Sequence, residues 1–221
     1  MPEYLSLLRE LSVNSIYALL ILVLIITLFK GRIKNRELIL VFYVWLPIAV
    51  ITQFFMTYFR VHLSRSNLPI MNFYLMIEFI LFVVILLLVK KNSFGKKVNF
   101  KLWSIIVVIG LVLHLIDKLD TIHSSAMLFI AIIYFQLSIN SIELDKSDEL
   151  IKDPFTILNI TIFVKAFGYS YFLIYQTDYT FPLSIYSGVN FLVQILFALT
   201  LIMYYKNQPQ KKSKAEQDIL N

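Results

Sequence analysis

Two ionisable side chains carry the most chemical weight in this sequence. Glu78 lies near the middle of an apolar run from Leu68 to Val89, and Lys165 near the middle of a second run, residues 154–175. A carboxyl or ammonium group at that depth of a membrane-length segment is costly and calls for a partner or a task. One reading of Glu78 is a counter-charge for a ligand or a carrier of protons. The other is a carboxyl that ties helices together by hydrogen bonding. Lys165 stands about ten residues from either end of its run, too deep to reach water easily by extending its chain. An ion pair between Glu78 and Lys165 is therefore expected.

Other polar residues share helical faces with this pair. Tyr74 precedes Glu78 by four residues and Tyr169 follows Lys165 by four, so each pair lies on one face of a helix. Tyr186, Asn190 and Gln194 repeat that spacing in the last apolar run, Asn72 lies just before Tyr74, and Gln53 sits in the second run. The candidate ligand-binding set is Glu78, Lys165, Tyr74, Asn72, Gln53, Tyr169, Asn190 and Gln194. For Asn190 and Gln194, interhelical hydrogen-bond glue fits as well as ligand binding. A second group, His114, Asp117, Asp120 and His123, runs in three-residue steps. Imidazole and carboxylate are zinc ligands, which makes these four a candidate metal set. A helix end, turn and helix start that meet water would show the same residues. No nucleophile–base pair is legible, so no catalytic residue is assigned. No cofactor is expected. The absence of cysteine excludes disulfides, thiolate metal sites and thiol nucleophiles.

The elements that must position these residues are membrane-length helices. The chain has 221 residues, 59% hydrophobic and only 15% charged, against about one quarter charged in soluble domains. Its apolar residues come in continuous blocks without strict alternation, which points to spanning helices and away from a β-barrel. Seven spans are expected, at residues 13–29, 38–59, 68–89, 98–116, 122–142, 154–175 and 181–205, followed by a polar tail, 206–221. Pro47 should kink the second span, and Pro154 suits the first turn of the sixth. The first run ends in Gly31-Arg32-Ile33-Lys34, which reads as the end of a permanent span rather than a cleavage site.

The basic residues set an orientation. Fifteen of the twenty Lys and Arg fall after spans one, three and five or in the tail, four fall at the opposite ends, and the last is Lys165. By the positive-inside rule the N-terminus is outside and the C-terminus cytoplasmic. The charge of +6 is thereby absorbed by topology, and no nucleic-acid partner is expected.

Seven helices with an outside N-terminus resemble microbial rhodopsins and G-protein-coupled receptors in helix count and orientation. The retinal lysine of rhodopsins lies in helix seven, where this chain has none, and the receptors' Asp-Arg-Tyr and Asn-Pro-x-x-Tyr motifs are absent. The seven-helix hydrolases related to ceramidases carry a His-x-x-x-His pair late in the chain, whereas the last histidine here is His123. The pattern Asn67-Leu68-Pro69, Tyr74 and Glu78-Phe79 resembles small bacterial seven-helix membrane proteins that carry no assigned chemistry.

The fold expected is all-α: a polytopic integral protein of the inner (plasma) membrane, with seven transmembrane helices. The function expected is sensor-like or receptor-like binding of a small ligand in an outward-facing polar cavity, with the bilayer and a cytoplasmic signalling partner as further contacts. A small proton-coupled transporter using Glu78 is the alternative. A membrane-embedded enzyme or metal-dependent hydrolase is the third.

Overall fold

The computed structural model describes residues 3–63, 66–116, 124–139, 152–174 and 180–208. Among them the fold is all-α, and seven helices follow in order. They are α1 (Glu3–Lys30), α2 (Arg36–His62) and α3 (Leu68–Ser93), α4 (Phe100–Ile116), α5 (Ser124–Ile139), α6 (Pro154–Ile174) and α7 (Thr180–Asn207). Four of them, α1, α2, α3 and α7, are long and apolar enough to cross a membrane. The described parts of α4 and α5 are 17 and 16 residues long, about 25 Å at 1.5 Å per residue.

Sequential helices pack side by side, and α7 closes the ring by packing on both α6 and α1. The α3 helix also touches α5 and is the central element. In α3, 61% of the apolar window is buried, against 17% in α1 and 33% in α2 and α7. A helix apolar on every side belongs in the interior or in lipid, and α3 takes the interior. The outward faces of the other helices carry large exposed apolar side chains such as Phe29, Phe54, Ile105 and Ile202, far more apolar surface than a monomer in water tolerates.

Local sequence explains the main irregularities. Pro47 has no N–H, and its ring crowds the preceding turn. The turn before it, Leu40–Trp45, widens into a π-helical turn in which the Leu46 N–H reaches the Val41 carbonyl. The bend expected at Pro47 is thus a widened turn, which rotates Trp45 into the core, where it is buried. A second π turn, Val89–Ser93, ends α3. There Gly95 adopts φ +62° and the Lys96 N–H closes on the Lys90 carbonyl at 3.0 Å, a left-handed helix stop that favours glycine. Asn35 caps α2, accepting from the Glu37 and Leu38 N–H groups, and Asp153 caps α6, accepting from the Thr156 N–H and hydroxyl.

Small residues set two of the closest approaches. A Cβ on Gly110 of α4 would lie 2.3 Å from the Phe79 ring, and one on Gly168 of α6 would lie 2.8 Å from Val189 of α7. At the basic end, tyrosines strap the α1–α2 loop. Tyr43 bonds Thr27 and the Ile33 N–H, Tyr204 accepts from the Lys34 N–H, and Tyr205 donates to the Gly31 carbonyl.

Candidate functional site

Glu78 projects from the middle of α3 into a cage built by three other helices. Its Oε2 lies 3.1 Å from the Lys165 ammonium of α6, so the expected ion pair is present. The same oxygen accepts from the Tyr74 hydroxyl at 2.5 Å and from the Trp45 indole N–H at 3.1 Å. Tyr169 donates to Oε1. The Trp45 N–H is shared with the Tyr74 oxygen at 2.9 Å, and the Tyr134 hydroxyl of α5 donates to the Glu78 backbone carbonyl at 3.3 Å. Three donors thus crowd Oε2 and one meets Oε1.

Lys165 is held equally closely. Its ammonium lies 5.6 Å from the Trp45 ring centre, 5.8 Å from Phe82 and 5.6 Å from Tyr169. Aromatic faces at that distance attract a desolvated cation. Phe82 and Phe197 pack on Trp45 with ring centres 5.2 and 4.8 Å away. Glu78 is 1% exposed and Lys165 5% exposed. This centre is a neutral, closed polar knot in an apolar core. Chemically it can fix helix positions and sense their displacement, and its burial keeps Glu78 from direct contact with a substrate in solution.

A second polar region opens at the far end of the bundle from the basic loops. It is a pocket of about 180 Å³ between the N-terminal parts of α1 and α7 and the C-terminal part of α2. Two cations, Arg9 and Arg60, face it, together with Gln53, Thr57, Asn67 and Asn190. No carboxylate lines it among the described residues. Gln53 and Thr57 bond one another at 3.4 Å. Guanidinium groups surrounded by hydroxyls and amides suit an anion.

Tyr186 joins the two regions. It lines the pocket, and its ring lies 6.1 Å from that of Tyr169. A row of polar side chains thus runs from Asn190 through Tyr186 and Tyr169 to Glu78.

The candidate ligand-binding residues divide between these regions. Glu78, Lys165, Tyr74 and Tyr169 form the closed knot, while Gln53 and Asn190 line the outer pocket. Asn72 is fully buried on α3, almost two turns before Glu78 and outside its donor set. Gln194, one turn beyond Asn190 on the same face of α7, is 7% exposed, and its carbonyl oxygen has no hydrogen-bond partner among the described residues. The single cavity expected around Glu78 and Lys165 is therefore resolved into a packed centre and a separate pocket, because the protein's own donors and rings fill the space around the pair.

Of the candidate metal set, Asp117, Asp120 and His123 lie outside the described residues. His114 is fully buried at the end of α4.

Several participants escaped the sequence reading. Thr57 and Arg60 follow the candidate Gln53 at i+4 and i+7 on α2, and Arg9 and Ser12 stand at i and i+3 on α1. Those spacings were the available signal. Trp45 and Tyr134 carry no such signal, because an aromatic residue in an apolar helix reads as core. No protein-family model, curated protein or solved structure matches this chain.

Proposed function

We propose that this is a seven-span membrane protein, N-terminus outside and C-terminus cytoplasmic, that receives a small anionic ligand in the outer pocket and registers it at the Glu78–Lys165 centre. The observation that carries the reading is the meeting of Arg9 and Arg60 in a pocket that no carboxylate lines among the described residues, with Tyr186 and Tyr169 between it and Glu78. The orientation rests on the basic loops, which lie at the end opposite the pocket and favour the cytoplasmic side. Seven helices, four of them long and apolar enough to cross a membrane, support it. A ligand that moves Tyr186 displaces a ring packed beside Tyr169, and so biases the packing of α3, α6 and α7. The basic cytoplasmic ends and tail supply the surface for an intracellular partner.

The test is binding to the purified protein in phosphatidylcholine nanodiscs at constant ionic strength. Acetate, succinate, glutamate, phosphate and sulfate form the panel. A bound anion at one hundred times its Kd raises stability by about 2.7 kcal/mol. Each guanidinium contributes a charge-assisted bond of about 1.5–3 kcal/mol, so Arg9→Ala or Arg60→Ala should weaken binding at least tenfold. Binding unaffected by both substitutions, or no saturable binding across the panel, refutes the reading.

The row of tyrosine hydroxyls favours one second reading, proton-coupled transport through Glu78. Uptake of the bound anion into liposomes, driven by a pH gradient and lost in Glu78→Gln, distinguishes transport from reception without flux.

A further inference from the structure

An apolar groove lies on the opposite half of the molecule from the anion pocket, on the face between α3 and α4. Its volume is about 560 Å³, within the range of small-molecule sites. Ile80, Val84 and Leu87 of α3 form one wall and Trp103, Val107 and Val108 of α4 the other. Arg36 and Lys91 stand at its basic end, and both are exposed.

Three features define what fits it. First is length. From Ile80 to Lys91 the α3 wall rises about 16 Å at 1.5 Å per residue, close to the ~15 Å depth of one leaflet of a 30 Å hydrocarbon core. Second is charge. The cations sit only at the end beside the basic loops, where a lipid phosphate would lie, and no acidic side chain lines the groove among the described residues. Third is the aromatic collar. Trp103 is half-buried, and Phe100 is exposed beneath the Lys91 ammonium, 5.5 Å from its ring centre. Aromatic and basic residues at one level mark a membrane–water boundary. Gly110, close in sequence to the lining residue Val108, lets α4 meet the ring of Phe79, which precedes Ile80 on α3.

We infer that this groove is a binding site for one acidic phospholipid of the basic-side leaflet, with an acyl chain between α3 and α4 and its phosphate between Arg36 and Lys91. The inference rests on the four membrane-length helices and does not depend on the anion pocket being a ligand site.

Trp103 in the groove wall supplies the probe. The full-length protein is placed in phosphatidylcholine vesicles containing either brominated phosphatidylglycerol or an equal amount of brominated phosphatidylcholine. Bromine quenches tryptophan on contact, and Trp45 is buried in the core. Each basic residue at a membrane surface adds about 1 kcal/mol of attraction to an acidic lipid. Quenching should therefore show a 10–30-fold preference for phosphatidylglycerol that collapses in the Arg36→Gln/Lys91→Gln variant. Val84→Phe, which narrows the groove and leaves both charges, should reduce Trp103 quenching by either lipid. Added inorganic phosphate should not compete. Equal quenching by the two lipids, or a preference unchanged in the double variant, overturns the assignment. So does shielding of Trp103 from both lipids in a stable dimer, which would make the groove a subunit interface.

Discussion

Removing one member of the Glu78–Lys165 pair should cost far more than removing both would suggest. The charges stand 3.1 Å apart, and at an effective dielectric constant of 20 two unit charges at that distance attract by about 5 kcal/mol. The unfolded chain in a membrane finds partners of its own, which reduces the measurable share. A coupling of about 2–4 kcal/mol is the expected result. Glu78→Gln strands a buried ammonium on aromatic faces alone, and breaking a buried pair in that way costs about 3–5 kcal/mol. Lys165→Met should cost about 1–2 kcal/mol less, because charge-assisted bonds of about 1.5–3 kcal/mol each from Trp45, Tyr74 and Tyr169 still hold the carboxylate. The double variant should be no less stable than Glu78→Gln. The assay is reversible unfolding by SDS in mixed micelles, run as a double-mutant cycle. Single-variant losses that add to within about 0.5 kcal/mol would show that the two charges do not act on one another.

Four further outcomes follow from the packing. Gly110→Ala places a Cβ 2.3 Å from Phe79, and overpacking of that kind costs about 1–3 kcal/mol; Gly168→Ala, with a 2.8 Å approach to Val189, should cost less in the same unfolding assay. Trp45→Phe removes a buried donor shared by Tyr74 and Glu78 and should cost about 1.5–3 kcal/mol. Asn92→Ala should destabilise by a similar amount, because Asn92 donates at 2.7 Å to buried Glu37 and joins α2 to the end of α3. Asn35→Ala should lose about 1 kcal/mol with its two capping bonds to α2, and hydrogen exchange in the first turn of α2 should rise.

The helices were legible because membrane-length apolar runs leave little choice of structure. The α1 helix begins at Glu3, ten residues before the expected span. That extension matters, since it carries Arg9 and Ser12 to the pocket. The pairing of Glu78 with Lys165 was legible too: each is a lone charge at mid-depth, and each has a tyrosine one turn away. The closure of that centre was not. It depends on Trp45, whose direction is set by the widened turn before Pro47, and on Tyr134, whose neighbours come from a different part of the chain. Arg9 and Arg60 were hidden for another reason. A basic residue at a helix end is sufficiently explained by topology, and only the meeting of α1, α2 and α7 brings the two together. Gln53 and Asn190 were picked out as polar residues in apolar runs, but one-dimensional spacing could not tell which of two polar regions they join.

The central claim is that an anion held by Arg9 and Arg60 is felt at Glu78, and Trp45 can report it directly. The chain has only two tryptophans, so Trp103→Phe leaves Trp45, which bonds Glu78, as the sole emitter. The account predicts a saturable change in Trp45 emission as an anion of the panel is added in nanodiscs. Arg60→Ala should abolish the change by abolishing binding. Tyr169→Phe should leave binding intact, measured by calorimetry, while suppressing the Trp45 signal. Anion binding that leaves Trp45 emission unchanged in the Trp103→Phe protein, or a Trp45 response that survives Arg60→Ala, would contradict it.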